Sequence, residues 1–287
     1  MVCSNGDMAY IIHGATGAQG SPVLSALTAA GHAAVAAVRD VSKVDGEAIA
    51  IDNSSADSLA AAYEGAEGMF VHLPLGRPQD QVAYAQAIGQ AIRRTKPPRV
   101  VFSTSGYTAD MSGHGQNAPD VLIRELAESG VSYAVVEPRL YLENLLLPVT
   151  LEPVRSEGAL RYPIRADYVT SWSSHLDVAD VVVRLLTDHT VTGVVSIGAL
   201  PGLVGEDLAA GFSRYLGETV RFESITPAQY GELITPLFGE GAAAPVVASY
   251  EHRRKQPGEV IPEERSAQTL LGLAPRSVEQ WLRDLGI

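Results

Sequence analysis

Short apolar runs alternate with longer amphipathic stretches from Ala9 to about Leu151. Parallel strands joined by crossover helices read this way, because a strand buried on both faces needs no polar positions. The runs Tyr10–His13, Ala33–Val38, Ala48–Ile51, Gly68–Leu73, Val100–Ser103 and Tyr133–Val136 predict six strands, each bounded by glycine, proline or polar turn residues. Helical spacing over Ala18–Ala30, Ala56–Tyr63, Gln81–Arg94 and Ala118–Ser129 predicts the crossovers, with Ser55 and Asp80 as N-caps. Past Glu137 the pattern loosens. Val178–Leu186 led by Asp177, Glu206–Leu216, Pro227–Phe238, Ala242–Arg254 and Val278–Leu285 predict helices, the third and fourth paired around a turn at Gly239–Gly241, and Gly193–Ile197 predicts a seventh strand. With no sharp linker and no repeat of fixed period, the chain reads as one continuous α/β domain. It is a doubly wound parallel sheet whose core covers residues 1–151. Residues 152–287 add the remaining core elements and a smaller, mainly helical substrate-binding or lid region.

Composition narrows the partners. Hydrophobic residues make up 46% of the 287 and charged ones 19%, enough for a large core and unlike a disordered chain. Lys+Arg 21 against Asp+Glu 33 leaves −12, a field that repels phosphate backbones and anionic membranes, so nucleic acid is excluded as a partner. The single cysteine, Cys3, forms no intramolecular disulfide, and the scattered histidines carry no metal-ligand spacing. Met1–Asp7 lacks the basic and apolar parts of a secretory signal, and Met8 is an alternative start. The apolar window Leu140–Leu151 is broken by Glu143, Asn144 and Pro148, too short for a membrane span. The expectation is a soluble cytoplasmic monomer or homodimer.

The strongest chemical signal is Ile11-Ile12-His13-Gly14-Ala15-Thr16-Gly17-Ala18-Gln19-Gly20, an apolar strand running into three glycines spaced by three and then into an amphipathic helix. A dinucleotide's pyrophosphate needs a turn free of side chains so that backbone N–H groups approach it, with the helix N-terminus adding a positive dipole end. Gly14 and Gly17 supply that turn, Thr16, Ala18 and Gln19 lie along it, and Gly20 lets the helix approach the strand. Pro22 is tolerated because first-turn amides lack intrahelical acceptors. At the end of the second strand, where the adenosine ribose is read, Arg39 stands in place of an acid, with Lys43 four residues on. A planar cation suits a 2′-phosphate, so NADP(H) is preferred over NAD(H), although Asp40 lies beside it. Asp52 and Asn53 follow the third strand and either hydrogen-bond the adenine or cap a turn.

With Phe102-Ser103-Thr104-Ser105-Gly106, Glu137-Pro138-Arg139-Leu140-Tyr141-Leu142-Glu143-Asn144 and His175-Leu176-Asp177-Val178-Ala179-Asp180, these motifs make the chain resemble atypical short-chain dehydrogenase/reductases of the NmrA-like kind. The resemblance implies a Rossmann-type domain binding NAD(P)H, a small C-terminal region closing over a substrate, and Leu73, Pro74 and Ser103 near the nicotinamide. It extends to quinone and ketone reductases and also to members that bind the dinucleotide as redox-responsive regulators.

Conventional relatives place a lysine four residues after a catalytic tyrosine, the ammonium lowering the phenol's pKa. None of the eleven tyrosines here has one, and Lys43, Lys96 and Lys255 are the only lysines. The remaining proton-donor candidates are Ser105, Tyr107 and His114, each of which equally suits an ordinary loop or solvated surface. Tyr141 and Asn144 either line the substrate pocket or pack locally, and Trp172, Tyr168 and Phe238 either offer further apolar pocket surface or belong to the core. Asp177 and Asp180 read as a helix N-cap and a first-turn charge. The leading reading is an NADPH-dependent reductase of an activated carbonyl on a small aromatic, polyketide-type or quinonoid molecule. Its alternatives are a non-catalytic NADP-binding redox sensor and an isomerase or epimerase that uses the cofactor as a transient hydride store.

Overall fold

Residues Met8–Ile287 are described by the computed structural model, so Cys3 and the Met1–Asp7 segment lie outside the described residues. Strand β1 (Tyr10–His13) leads into α1 (Gly20–Ala29), and β2 (Ala34–Val38) and β3 (Ala48–Ala50) precede α2 (Ala56–Tyr63). Then come β4 (Gly68–His72), α3 (Pro78–Thr95), β5 (Arg99–Ser103), α4 (Ala118–Ser129) and β6 (Ser132–Pro138). The later elements are α5 (Pro148–Glu157), β7 (Ala159–Tyr162), β8 (Val169–Thr170), α6 (His175–Thr187), β9 (Gly193–Ile197), α7 (Gly205–Leu216) and β10 (Arg221–Ser224). The chain ends with α8 (Pro227–Phe238), α9 (Glu240–Arg254), β11 (Gly258–Glu259), α10 (Ala267–Leu271) and α11 (Val278–Leu285).

Two compact units result. The first comprises residues through Pro138, His175–Ser196 and Glu264–Leu273, and the second Arg139–Ser174, Ile197–Glu263 and Ala274–Ile287. The seven-stranded sheet runs in the order β3-β2-β1-β4-β5-β6-β9, with parallel registers through its first six strands. Alternation of side chains along each strand builds its two faces. Ile11, Val35, Met69, Val71, Val100, Phe102 and Val135 join α2, α3 and α4 in one buried cluster, while α1 packs on α6. Full burial of each such side chain is worth about 1.5–3 kcal/mol. In the second unit β7 pairs with β10 and β8 with β11, both parallel, beside α5, α7, α8, α9 and α11.

Some boundaries differ from the pattern-based ones. Asp80 does not cap α3: the helix starts at Pro78, whose fixed φ and missing N–H suit a first helical position, and Asp80 accepts from Arg77 within the first turn. Likewise Asp177 sits buried in the first turn of α6, which already begins at His175. The α8–α9 turn needs only Gly239, at φ +80°, with α9 starting at Glu240. Helix α1 starts at Gly20, Ala18–Gln19 remaining in the turn. Ser55 does cap α2, its hydroxyl accepting from Ser58 N. Trp172 and Tyr168 are core rather than pocket surface, each 1% exposed, because Tyr162, Tyr230 and Tyr250 make an aromatic cluster beside Trp172, whereas Phe238 stays half exposed.

Candidate functional site

The strand order reverses between β1 and β4, and the carboxyl ends of the strands around that point line a cavity of about 300 Å³. His13 and Gly14 from β1, Val38 and Arg39 from β2, Asn53 after β3, and His72, Pro74 and Leu75 after β4 face it together with Thr16 and Gly17. Open α/β sheets bind ligands at this place, because adjacent crossovers diverge to opposite faces and leave a crevice.

The three glycines serve three separate purposes. Gly14 has φ +60°, a conformation that a β-carbon disfavours, and a Cβ there would also stand 2.8 Å from His72 Cε1. Gly20 is buried under the turn, where a Cβ would lie 2.5 Å from the His13 carbonyl oxygen and equally close to Gly14 C. At Gly17 the fold asks for little: the backbone is not left-handed, and the one nearby atom, Gly14 O, is 3.2 Å from the Cβ position. Gly17 lines the cavity, and its open space faces no packed side chain.

Arg39 reaches the cavity from the exposed rim of β2. Asp40, which in sequence competes with it, is turned away: its carboxylate accepts from Ser42 N at 3.1 Å and Ser42 Oγ at 2.6 Å, and those bonds, with Lys43 nearby, hold it below the usual carboxylate range. Lys43 pairs with Asp40 at 3.9 Å and is not among the lining residues. Of the pair after β3, Asp52 is engaged in an Asx turn with Ser54, whereas Asn53 lines the cavity with its Oδ1 buried and lacking a hydrogen-bond partner.

Behind the turn a side-chain network joins α1 to β5. Ser103 Oγ donates to Gln19 Oε1 at 2.8 Å, Gln19 Nε2 donates to Ser105 Oγ at 2.9 Å, and Ser105 N donates to Ser103 Oγ at 3.2 Å. Ser105 is held at φ +56°, a conformation costing of order 1–3 kcal/mol that persists only where surroundings enforce it. The two other donor candidates stand apart from this network, Tyr107 at 58% exposed and His114 also on the surface. Tyr141 and Asn144 belong to the second unit, Tyr141 just before the short helical turn at 142–146 and Asn144 within it, where Asn144 N donates to Tyr141 O.

Pattern reading missed a histidine cluster. His13 and His72 end adjacent strands, and His175 opens α6. Burial, and secondarily the neighbouring His72, lowers His13 to about 3 and His175 to about 4, and burial also lowers His72, opposed by the backbones of Leu73 and His13. His13 Nε2 is 2.9 Å from the Tyr63 hydroxyl, and burial raises that phenol well above its ordinary value, so Tyr63 is a poor proton donor. The usable signal was positional: a histidine at the carboxyl end of each of two strands flanking the reversal. Among the described residues no group of histidine, cysteine or acid side chains is placed to hold a metal, and no helix is long and apolar enough to cross a membrane.

A parallel sheet with a glycine turn at its switch point, passing directly into a helix N-terminus, defines the Rossmann-type α/β class. Within that class the chain belongs to the NmrA-like family, whose model matches residues 8–282. It is 28% identical over 246 residues to an NAD(P)H azoreductase of Xenophilus azovorans, covering 79% of this chain and 80% of that protein. Its fold is similar to Citrobacter sp. triphenylmethane reductase complexed with NADP(H), with a TM-score of 0.76 at 17% identity over 96% of this chain and 99% of that one. It is also similar to the Escherichia coli NADPH-dependent quinone oxidoreductase complexed with NADPH, with a TM-score of 0.70 at 18% identity over 97% of this chain and all of the other.

Proposed function

We propose that the cavity takes NADPH and that the chain is a reductase of activated, conjugated acceptors: quinones, aromatic ketones with a neighbouring phenol, and related small aromatic dyes. The observation that carries the dinucleotide is the cradle itself, where Gly14 and Gly17 leave bare backbone beside the N-terminus of α1, with Arg39 and the orphaned Asn53 Oδ1 lining the same cavity. These groups fit the ligand in type: backbone N–H groups for pyrophosphate, an amide for adenine, a guanidinium for the 2′-phosphate. When bound, the dinucleotide supplies the hydride. The azoreductase relative supports a small aromatic acceptor.

The acceptor class follows from what the chain lacks. Hydride delivery to an isolated ketone leaves a localised alkoxide, which the missing Tyr/Lys pair would otherwise protonate. A quinone delocalises that charge, and a neighbouring phenol stabilises it or returns the proton. Sustained NADPH oxidation is expected with quinones and hydroxyaryl ketones and none with isolated aliphatic ketones. Equal turnover of both would refute the acceptor class. Tight NADPH binding with no turnover across the panel would instead favour the redox-sensing regulator.

Cofactor preference is tested at the rim. Arg39→Ala is expected to weaken NADPH about 10- to 100-fold, the roughly 1.5–3 kcal/mol of one charge-assisted contact, and to change NADH less than threefold because it has no 2′-phosphate. Titration by protein-to-nicotinamide energy transfer measures both. Equal losses would remove the assignment.

A further inference from the structure

His13 and His72 line the cavity together with Arg39, and His72 lies close enough to both His13 and His175 for its charge to act on each. Among the described residues no carboxylate acts on His13 or His72, so the protein itself supplies neither ring with a counter-ion. The three rings differ in what they can do with a proton. His13 Nε2 is engaged with the Tyr63 hydroxyl at 2.9 Å. His175 stands in the first turn of α6, where the positive end of the helix dipole opposes a further positive charge. His72 Nε2 is buried with no hydrogen-bond partner, and it lies against the glycine turn, 2.3 Å from where a β-carbon on Gly14 would sit. The backbones of Leu73 and His13 favour the charged form of this ring, and burial opposes it. An anion in the cavity would reverse that balance, supplying both the opposite charge and an acceptor for a second N–H.

We infer that His72 takes up a proton from solvent as a dinucleotide binds, and that the imidazolium so formed is the buried counter-ion of the pyrophosphate on the Gly14–Gly17 turn. This rests on the reading of the cavity as a dinucleotide site and adds a residue and a proton to it. A sphere with the cavity's volume of about 300 Å³ is only about 8 Å across, so a phosphate held there stands within that distance of the ring. At the effective dielectric of a protein site, one negative charge about 8 Å away raises a base's proton affinity roughly 30-fold. Arg39 shares the cavity but stays charged at every working pH, so its contribution is constant while that of His72 titrates. The complex holds more protons than the free protein, and affinity therefore rises as pH falls.

Calorimetry of NAD+ and NADP+ binding at pH 6, run in two buffers of different ionisation enthalpy, counts the protons taken up. NAD+ isolates the ring, because the 2′-phosphate of NADP+ has its own ionisation near pH 6 and adds to the count. Expected for NAD+ is an uptake of roughly half a proton or more per molecule bound, with affinity about 10-fold greater at pH 6 than at pH 8. His72→Gln keeps a hydrogen-bonding side chain that does not titrate, so uptake of NAD+-linked protons should vanish and the two affinities should agree within about twofold. With NADP+ the same difference between wild type and variant should appear. His13→Gln should retain the uptake. The count on the wild-type protein decides the matter alone if His72→Gln does not fold.

Binding of NAD+ without proton uptake, equal affinity at the two pH values, or full uptake in His72→Gln would overturn the inference and leave the dinucleotide site standing. A folded wild-type protein that binds neither dinucleotide at either pH would overturn the site itself, and the inference with it.

Discussion

Gly17→Val should leave the protein folded while weakening NADPH binding at least about 100-fold, and Gly20→Val should strongly destabilise the fold. The two glycines lie three residues apart in one turn, but different neighbours demand them. A Cβ on residue 20 would be driven into backbone atoms of His13 and Gly14 at about 2.5 Å, and backbone cannot swing aside as the end of a side chain can. Overpacking of this kind is expected to cost about 3 kcal/mol, a large share of a domain's net stability. At residue 17 the nearest atom is Gly14 O at 3.2 Å, so the fold should lose only about 1 kcal/mol. The added side chain instead occupies the cavity that Gly17 lines. NADPH affinity should fall at least about 100-fold, since the pyrophosphate has no other approach to the turn amides. Thermal melts combined with NADPH titration separate the two effects. A folded Gly17→Val protein with unchanged affinity would remove the dinucleotide from this cavity.

Stability should fall by about 4 kcal/mol between pH 7 and pH 5, because the buried histidines cannot accept protons that the unfolded chain takes up. In the unfolded chain a histidine titrates near its ordinary value of 6.5, whereas in the fold His13 lies near 3 and His175 near 4. A base whose folded pKa is depressed favours the native state above the unfolded value. That preference is lost as pH falls, at about 1.4 kcal/mol per unit for each group, down to its folded pKa. At pH 5 each histidine has forfeited about 2 kcal/mol, and His72, lowered by the same burial, adds in the same direction. Denaturant melts at pH 7 and pH 5 measure the slope. His13→Gln keeps a hydrogen-bonding group facing Tyr63 Oη but does not titrate, so it should flatten the slope by about one proton. A wild-type curve flat over this range, or an unchanged slope in the variant, would contradict the burial assigned to these rings.

Apolar runs, helical spacing and glycine spacing determined the parallel sheet, its crossovers and the glycine turn, because these rest on local rules: strands apolar throughout when both faces are buried, a 3.6-residue repeat, and backbone freedom at Gly14. The same pattern was silent on β7, β8, β10 and β11, strands of two to four residues that pair only with chain more than 50 residues distant. So short a segment has no periodicity to read and becomes a strand only when its partner arrives. Residue types named Arg39, Asn53 and Ser105 as candidates beside Asp40, Asp52, Tyr107 and His114, and only the tertiary structure shows how different their surroundings are. Asp40 and Asp52 have the chemistry to compete and are disarmed by serines two residues on. Tyr107 and His114 have better proton donors than a serine hydroxyl, yet they stand on the surface away from the Gln19 network. Direction was the property missing from the chain as written. A sequence states which groups can hydrogen-bond, whereas the donor order from Ser103 through Gln19 to Ser105 exists only once residues more than 80 positions apart are packed together.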